Sequence, residues 1–255
     1  MFVIKVANLH IGIRTRYQET EEYCREYIVH EYIVQKKDPD FIVEPTEKEI
    51  DEEMHRTPVI TDPGEAEFIC VYRQIGYRLL SYDAMIMHAA VLDVNGIGIA
   101  LLAPSGTGKT TLALHILDRY DGKARIINGD KPILRFEEDT EADSSHSAHT
   151  HGGQYGKLYA YGTPWNGKEE FGCNDRVQLR KVCFLERAQE DAVSELSEEE
   201  TAPLLFRQLL IPSETEQVIR FFDLVERIMD SVECYQIRCT QNESAADAAI
   251  KEMRL

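Results

Sequence analysis

The sequence predicts an α/β fold, with a mixed sheet and flanking helices over residues 65–255 and a small α+β region over residues 1–64. Two apolar segments joined by Asn95-Gly96, a strong hairpin signal, run into a glycine-rich loop and then into a helical pattern. After residue 120, apolar strand-like segments alternate with amphipathic helical ones, as in α/β domains. Residues 2–6 and 9–13 have the pattern of paired strands, which gives the N-terminal region its own sheet.

The net charge of the chain excludes some classes of binding partner. Its 255 residues include 28 Lys and Arg against 45 Asp and Glu, a formal net charge of −17. Such a charge repels phosphate backbones and anionic lipid headgroups, so we expect neither nucleic acid nor a membrane surface as a partner. The first residues lack the pattern of a signal peptide, and no apolar run approaches the ~20 residues of a membrane-spanning helix. We therefore expect a cytoplasmic protein.

The flanking stretches predict supporting elements. Residues 36–64 contain four prolines and a dense acidic run, which indicates that most of the stretch is a solvated connection, with one short strand also compatible with the pattern. A helical pattern follows from Glu65 and leads into the motif region. Two later helices are predicted to be capped by Ser197 and Ser213. The six cysteines form no C-x-x-C pair and several lie in apolar runs, which favours reduced, buried thiols over disulfides or zinc.

The stretch APSGTGKTT is a candidate phosphate-binding loop between a strand and a helix that begins at Lys109. Successive backbone N–H groups and the helix N-terminus suit a polyphosphate, Lys109 suits the β- and γ-phosphates, and the Thr110 hydroxyl suits Mg²⁺. Ala103 stands where the usual pattern has glycine, which is tolerable if its φ is negative. The predicted nucleotide-binding residues are Pro104, Ser105, Gly106, Thr107, Gly108, Lys109, Thr110 and Thr111.

The segment HAAVLDVNGIGIALLAPSGTGKTTLAL closely resembles HPr kinase/phosphorylase, in which a histidine also precedes a hairpin that runs into the loop. The SGTGKTTL portion also resembles ATP-dependent phosphoenolpyruvate carboxykinase, whose nucleotide core is similar. Downstream, GTPWNGKEE and QLRKVCFLER resemble a looser group of HPr-kinase-like proteins, some of which phosphorylate serine on ribosomally made peptides. The resemblance covers roughly residues 65–240 and implies a carboxykinase-like P-loop fold that uses ATP and Mg²⁺.

The resemblance also implies roles for two further side chains. After a predicted strand at residues 124–128, HPr kinase typically has two adjacent acids, where this chain has Asp130 and then Lys131. Asp130 is expected to contact Mg²⁺ or to act as the base that accepts the serine proton, and a turn aspartate is the alternative. His88 matches the family's histidine in its interval to Lys109 and is expected to reach toward the γ-phosphate, although a half-buried strand-end histidine is also compatible with its position.

Other candidates remain open. His146, His149 and His151 have a spacing that allows metal binding, but the composition of residues 137–157 favours a lid over the substrate. Trp165 either packs on a ligand or, as we slightly favour, pins its loop to the core, with residues 162–167 beside the active site. Arg176 is a candidate for contact with phosphate or the acceptor, against the commoner case of a surface arginine beside Asp175.

Three functions are compatible with these features. The first is a kinase that transfers the γ-phosphoryl group of ATP to a serine of a protein or peptide acceptor, with Asp130, His88 and Lys109 as catalytic residues and Thr110 and Asp130 as metal ligands. The second is a nucleotide-binding regulatory module without transfer, and the third is a carboxykinase-type enzyme. HPr kinase forms a hexamer, so a homo-oligomer is considered, but residues 1–64 carry none of the resemblance and the oligomeric state is not transferred.

Overall fold

The computed structural model describes residues 1–35, 37–57, 60–104, 106–138, 156–240 and 242–255. The strands are β1 (Phe2–Val6), β2 (Leu9–Ile13), β3 (Phe41–Val43), β4 (Ala84–Ile86), β5 (Ala90–Val94), β6 (Ile97–Leu102), β7 (Ala124–Asn128), β8 (Ile133–Glu137), β9 (Lys157–Tyr161), β10 (Arg176–Arg187), β11 (Ala192–Glu195) and β12 (Glu233–Cys239). The helices are α1 (Gln18–Tyr23), α2 (His30–Gln35), α3 (Glu47–Arg56), α4 (Pro63–Leu79), α5 (Lys109–Arg119), α6 (Glu198–Phe206), α7 (Thr215–Ser231) and α8 (Ser244–Met253).

The N-terminal region has its own sheet, in the order β1-β2-β3. Strands β1 and β2 pair antiparallel across Ala7 and Asn8, which both have positive φ, and β3 pairs parallel to β2. The prediction that residues 36–64 form mainly a solvated connection is wrong, because they also contain α3. A capping box between Thr46 and Glu49 starts this helix, and Ile50 packs it against α4. Most charged residues of the stretch are exposed on this amphipathic helix, whereas Glu53 is buried and pairs with Arg56 and Arg73.

The large sheet has nine strands within the described residues, in the order β4-β8-β9-β10-β6-β5-β7, with β12 beside β10 and β11 beside β12. The predicted hairpin is confirmed, since β5 and β6 pair antiparallel across Asn95-Gly96. The long strand β10 pairs antiparallel with β9 in its first part and parallel with β6 and β12 in its second. Parallel and antiparallel pairs in one sheet confirm the predicted mixed α/β architecture.

Helices cover both faces of the central strands. On one face, apolar residues of β5, β6 and β10 pack with residues of α5 and α8. On the other face, the alternate residues of the same strands pack with α7. This alternation follows from strand geometry, in which successive side chains point to opposite sides. The loop between β6 and α5 therefore follows a strand whose residues are buried on both faces of the sheet.

The N-terminal sheet shares a core with the rest of the chain. Buried residues of β1, β2 and β3 belong to the same apolar cluster as Ile75 and Leu79 of α4, Ile86 of β4 and Trp165. The proposed division at residue 64 stays a prediction. Helix α4 begins at Pro63. Proline is tolerated in the first turn of a helix, because the backbone N–H that it lacks would have no partner within the helix there.

Two capping predictions had different outcomes. Ser197 forms a capping box with Glu200 at the start of α6, as predicted. Ser213 does not cap α7, whose N-cap is Glu214 without a side-chain cap hydrogen bond.

All six cysteines are free thiols in the described structure, and five are buried. In the part of the chain that the structure describes, no helix is long and apolar enough to cross a membrane.

Candidate functional site

The glycine-rich loop begins where β6 ends. Ala103 has no positive φ, is 2% exposed and belongs to the apolar cluster beneath α5. A methyl group is therefore accommodated, and it adds to the core at the base of the loop. Gly106 and Gly108 have φ of 78° and 115°, and a Cβ at either position would meet nothing within 4 Å. Glycine is needed there for the backbone conformation, and the space above the loop is open.

Helix α5 begins at Lys109, as predicted, with Gly108 as an N-cap that supplies no side-chain hydrogen bond. The first amides of the helix therefore face outward without a capping side chain, which is the arrangement that suits an anion. Thr110 and Thr111 lie in this first turn, and Thr107 N donates to Pro104 O at 3.2 Å. The predicted loop residue Ser105 lies outside the described residues.

Four side chains meet beside this loop. Lys109 Nζ lies 2.9 Å from His88 Nε2. His88 Nε2 in turn lies 3.0 Å from Asp130 Oδ1. Lys131 Nζ lies 3.4 Å from Asp130 Oδ2. A single ring nitrogen cannot accept from the lysine and donate to the carboxylate at once, so the histidine tautomer decides which bond forms. The predicted catalytic residues Asp130, His88 and Lys109 are thus brought together from three separate segments, and their catalytic roles stay a prediction.

Burial and charge shift the pKa values in this group. Burial lowers the pKa of Lys109, and the charge of Lys131 adds to that effect while Asp130 opposes it. Burial likewise lowers the pKa of Lys131, against the opposing effect of Asp130. Burial by itself raises the pKa of Asp130, but the hydrogen bond from His88 and the nearby lysines outweigh it, so this pKa lies below its usual value. Asp130 is therefore ionised at neutral pH.

The turn that carries Asp130 is held by Asn128, the last residue of β7, which is fully buried. Asn128 Oδ1 accepts hydrogen bonds from the backbone N–H groups of Asp130 and Lys131 at 2.9 and 2.7 Å. Its Nδ2 donates to the carbonyl and hydroxyl oxygens of Thr163, both at 3.1 Å. Thr163 in turn donates to Lys131 O at 2.8 Å. The turn is thus fixed to the segment that follows β9.

Trp165 pins this following segment to the core, as favoured from the sequence. Its indole Nε1 donates to Phe68 O at 3.1 Å, and its ring stacks on the Phe68 ring with a centroid distance of 5.1 Å. Trp165 O accepts from Lys131 N at 3.0 Å. A Cβ on Gly162 would lie 1.8 Å from Cys173 O, so only glycine lets these backbones approach. Residues 162–167 therefore run directly beside the Asp130 turn.

Arg176 is a structural residue in this arrangement. Its guanidinium bonds to Glu137, donates to Tyr161 Oη at 3.0 Å and lies 4.1 Å from the Tyr159 ring centroid. Its proposed contact with phosphate or acceptor has no support in these bonds. The alternative, a surface arginine beside Asp175, is also incomplete, because the Asp175 side chain pairs with Arg125 at 2.6 Å.

Two residues at the site were missed from the sequence. The only sequence signal for Asn128 is its place directly before Gly129-Asp130, where an asparagine side chain can accept hydrogen bonds from the backbone amides that follow. Arg187, at the end of β10, donates to the loop carbonyls of Gly106 and Thr107 at 2.5 and 3.4 Å. No local signal marks Arg187, because its position depends on the pairing of β10 with β6.

The candidate metal ligands His146, His149 and His151 lie outside the described residues, as do residues 139–155 of the predicted lid. Among the residues that are described, no group of three or more His, Cys, Asp or Glu side chains could hold a metal ion. Mg²⁺ does not require such a group, because it is commonly held by one or two carboxylates together with substrate phosphates and water. The oxygen donors Thr110 and Asp130 fit that mode of binding.

The fold and the site define an α/β protein in which a glycine-rich loop and a helix N-terminus face a cluster of one aspartate, one histidine and two lysines. No family model matches the sequence. The chain is similar to HPr kinase/phosphorylase of Cupriavidus necator, with 26% identity over 114 residues, which cover 42% of this chain and 35% of the relative. The HPr kinase/phosphorylase of Ralstonia pickettii is 27% identical over the same extent. These similarities support an HPr kinase-like family, as the sequence predicted.

The match spans only about a third of the length of these curated relatives. Among solved structures, the HPr(Ser) kinase/phosphatase from Coxiella burnetii is similar at a TM-score of 0.32 and 11% identity. That alignment covers 67% of this chain and 99% of the other.

Proposed function

We propose that this chain is an ATP-dependent kinase that transfers the γ-phosphoryl group to a serine hydroxyl of a protein or peptide acceptor, assisted by Mg²⁺. One observation carries the proposal. The Nε2 atom of a histidine before β5 lies within 3.0 Å of both a lysine at the start of α5 and an aspartate after β7, beside an open glycine-rich loop. The names of the curated relatives, HPr kinase/phosphorylase, agree with a kinase that acts on a protein.

The loop would hold the polyphosphate of ATP. Its two positive-φ glycines leave open space, and the uncapped amides of α5 add partial positive charge. Lys109 would contact the β- and γ-phosphates, together with the backbone of residues 104–111. Mg²⁺, held by Thr110 and Asp130, would neutralise charge on the phosphates.

Transfer needs a base and a stabilised leaving group. Asp130, ionised at neutral pH, would accept the proton of the serine hydroxyl while the serine oxygen bonds to the γ-phosphorus. The bond from that phosphorus to the β–γ bridging oxygen breaks, and ADP leaves with the electron pair. Lys109 would stabilise the charge that develops on the phosphates. His88 would orient the Asp130 carboxylate through the contact of its Nε2 with Oδ1.

The direct test is transfer of radiolabelled γ-phosphate from ATP to serine-containing acceptors, including HPr and short peptides. Lys109→Ala should slow transfer by about 10²-fold or more, because it removes the charge that meets the phosphates. Lys123→Ala, on an exposed lysine after α5, is the matched control and should transfer normally. Near-normal transfer by Lys109→Ala would show that the loop does not have the proposed role.

A nucleotide-binding regulatory module is the second candidate, favoured by one observation, the contact of Lys131 with the only carboxylate of the described cluster. Asp130→Asn separates the two functions, because it keeps the size of the side chain and removes the charge that would accept a proton. If the chain is a kinase, Asp130→Asn should still bind ATP, more weakly in the presence of Mg²⁺, and should lose most of its phosphoryl-transfer activity. If the wild type and Asp130→Asn bind nucleotide equally, and the wild type transfers phosphate to none of the serine acceptors offered, the regulatory module is favoured.

A further inference from the structure

Lys131 is a cation of the site whose backbone is firmly held. Its N–H donates both to Asn128 Oδ1 and to Trp165 O, and its carbonyl accepts from Thr163. The side chain is only 23% exposed, and its ammonium lies 3.4 Å from Asp130 Oδ2. Lys131 directly follows the proposed base in the sequence, and the proposed transfer reaction does not require it.

The charges of the cluster do not balance. Lys109 and Lys131 carry two positive charges against the single negative charge of Asp130, in a chain whose formal net charge is −17. Partial burial of a cation is unfavourable unless an anion compensates it, and both lysines are partly buried here. One more anionic group would complete the compensation, and the open loop lies next to Lys109, the first residue of α5.

We propose that Lys131 is a second cation for the terminal phosphate of ATP, so that the site distinguishes ATP from ADP through this side chain. The flexible stem of the lysine lets its ammonium leave Asp130 Oδ2 for a phosphate oxygen while the backbone stays fixed. That movement also frees one carboxylate oxygen of Asp130 for the serine proton or for Mg²⁺. The inference rests on the proposed nucleotide-binding function and adds the means by which the terminal phosphate is recognised.

Equilibrium binding tests this without a known acceptor. The affinities of AMP-PNP, a non-hydrolysable ATP analogue, and of ADP are measured by calorimetry with Mg²⁺ for the wild type, Lys131→Met and Lys131→Arg. Loss of one charge-assisted contact should weaken AMP-PNP binding by Lys131→Met about tenfold to a hundredfold and change ADP binding by less than about twofold. Lys131→Arg, which keeps the charge, should recover part of the preference, and Lys123→Met should behave like the wild type.

The outcomes separate this inference from the function on which it rests. If the wild type binds both nucleotides and Lys131→Met weakens them equally or not at all, the role of Lys131 is wrong and the nucleotide site stands. If the wild type binds neither nucleotide, the proposed function fails and this inference fails with it. Thermal unfolding of each variant shows whether its fold is intact, and Lys131→Gln, which also removes the charge, replaces Lys131→Met if the latter does not fold.

Discussion

At the scale of single residues, His88 connects the lysine and the aspartate of the candidate site. Its Nε2 lies 2.9 Å from the Lys109 nitrogen and 3.0 Å from the Asp130 oxygen, so one ring atom contacts both charged groups. The backbone of His88 is held independently, because its N–H donates to Gln208 O at 2.7 Å.

Replacement of the histidine tests this arrangement. His88→Ala should leave ATP affinity largely unchanged and lower γ-phosphoryl transfer by about 10²-fold, because the Asp130 carboxylate then loses the ring contact that orients it as the proposed base. Transfer rate, ATP affinity and melting temperature are measured on the same preparation. A sharp fall in melting temperature with unchanged transfer per folded molecule would identify His88 as a structural residue of the strand end.

At the scale of elements, the site depends on how strand ends are joined. The turn after β7 and the segment after β9 are far apart in the sequence, and the four side-chain hydrogen bonds of Asn128 tie them together. A buried asparagine with all these partners fixes both the direction of Asp130 and that of Lys131. The geometry of the proposed site therefore depends on a residue that would not touch substrate.

We expect Asn128→Ala to lower the free energy of unfolding by about 2 kcal/mol or more, because buried backbone and hydroxyl groups lose their partners. Urea unfolding measures this change. Asn174→Ala, at an exposed asparagine after β9, serves as the control and should change stability by less than about 0.5 kcal/mol. A stability loss as small as that of the control would show that the turn is held by other contacts.

At the scale of the whole molecule, the N-terminal sheet and the large sheet share an apolar cluster that includes Trp165. Ile4 of β1 is fully buried in this cluster. If the cluster is one cooperative unit, the fluorescence of Trp165 and the far-ultraviolet circular dichroism signal should change at the same temperature.

Ile4→Ala should destabilise the protein by about 3 kcal/mol and lower both melting curves by roughly 6–12 °C. Ile219→Ala, at a residue 68% exposed on α7, should shift neither curve appreciably. A tryptophan transition that keeps its midpoint while the dichroism signal melts earlier would instead identify residues 1–64 as a separate folding unit.

Local patterns were sufficient for much of the fold and for part of the site. The hairpin at Asn95-Gly96, the start of α5 at Lys109 and the strand at residues 124–128 follow from turn chemistry and periodicity within a few residues. Helix α3 was missed, because acidic residues and prolines dominate the stretch while its cap and its buried Ile50 are few residues among many. The Ser213 cap failed because α7 begins one residue later than the capping pattern predicts.

The sequence by itself determined the α/β class, the strand, glycine-rich loop and helix unit, the resemblance to HPr kinase and the identity of His88, Lys109 and Asp130 as candidates, because each rests on residues that are close in the chain. Only the tertiary structure decided that these three side chains meet, that Lys131 joins them, and that Asn128 and Arg187 hold the turn and the loop. The physical reason is that such contacts depend on which strands pair and in which register, and strand pairing between distant segments is set by the packing of the whole core.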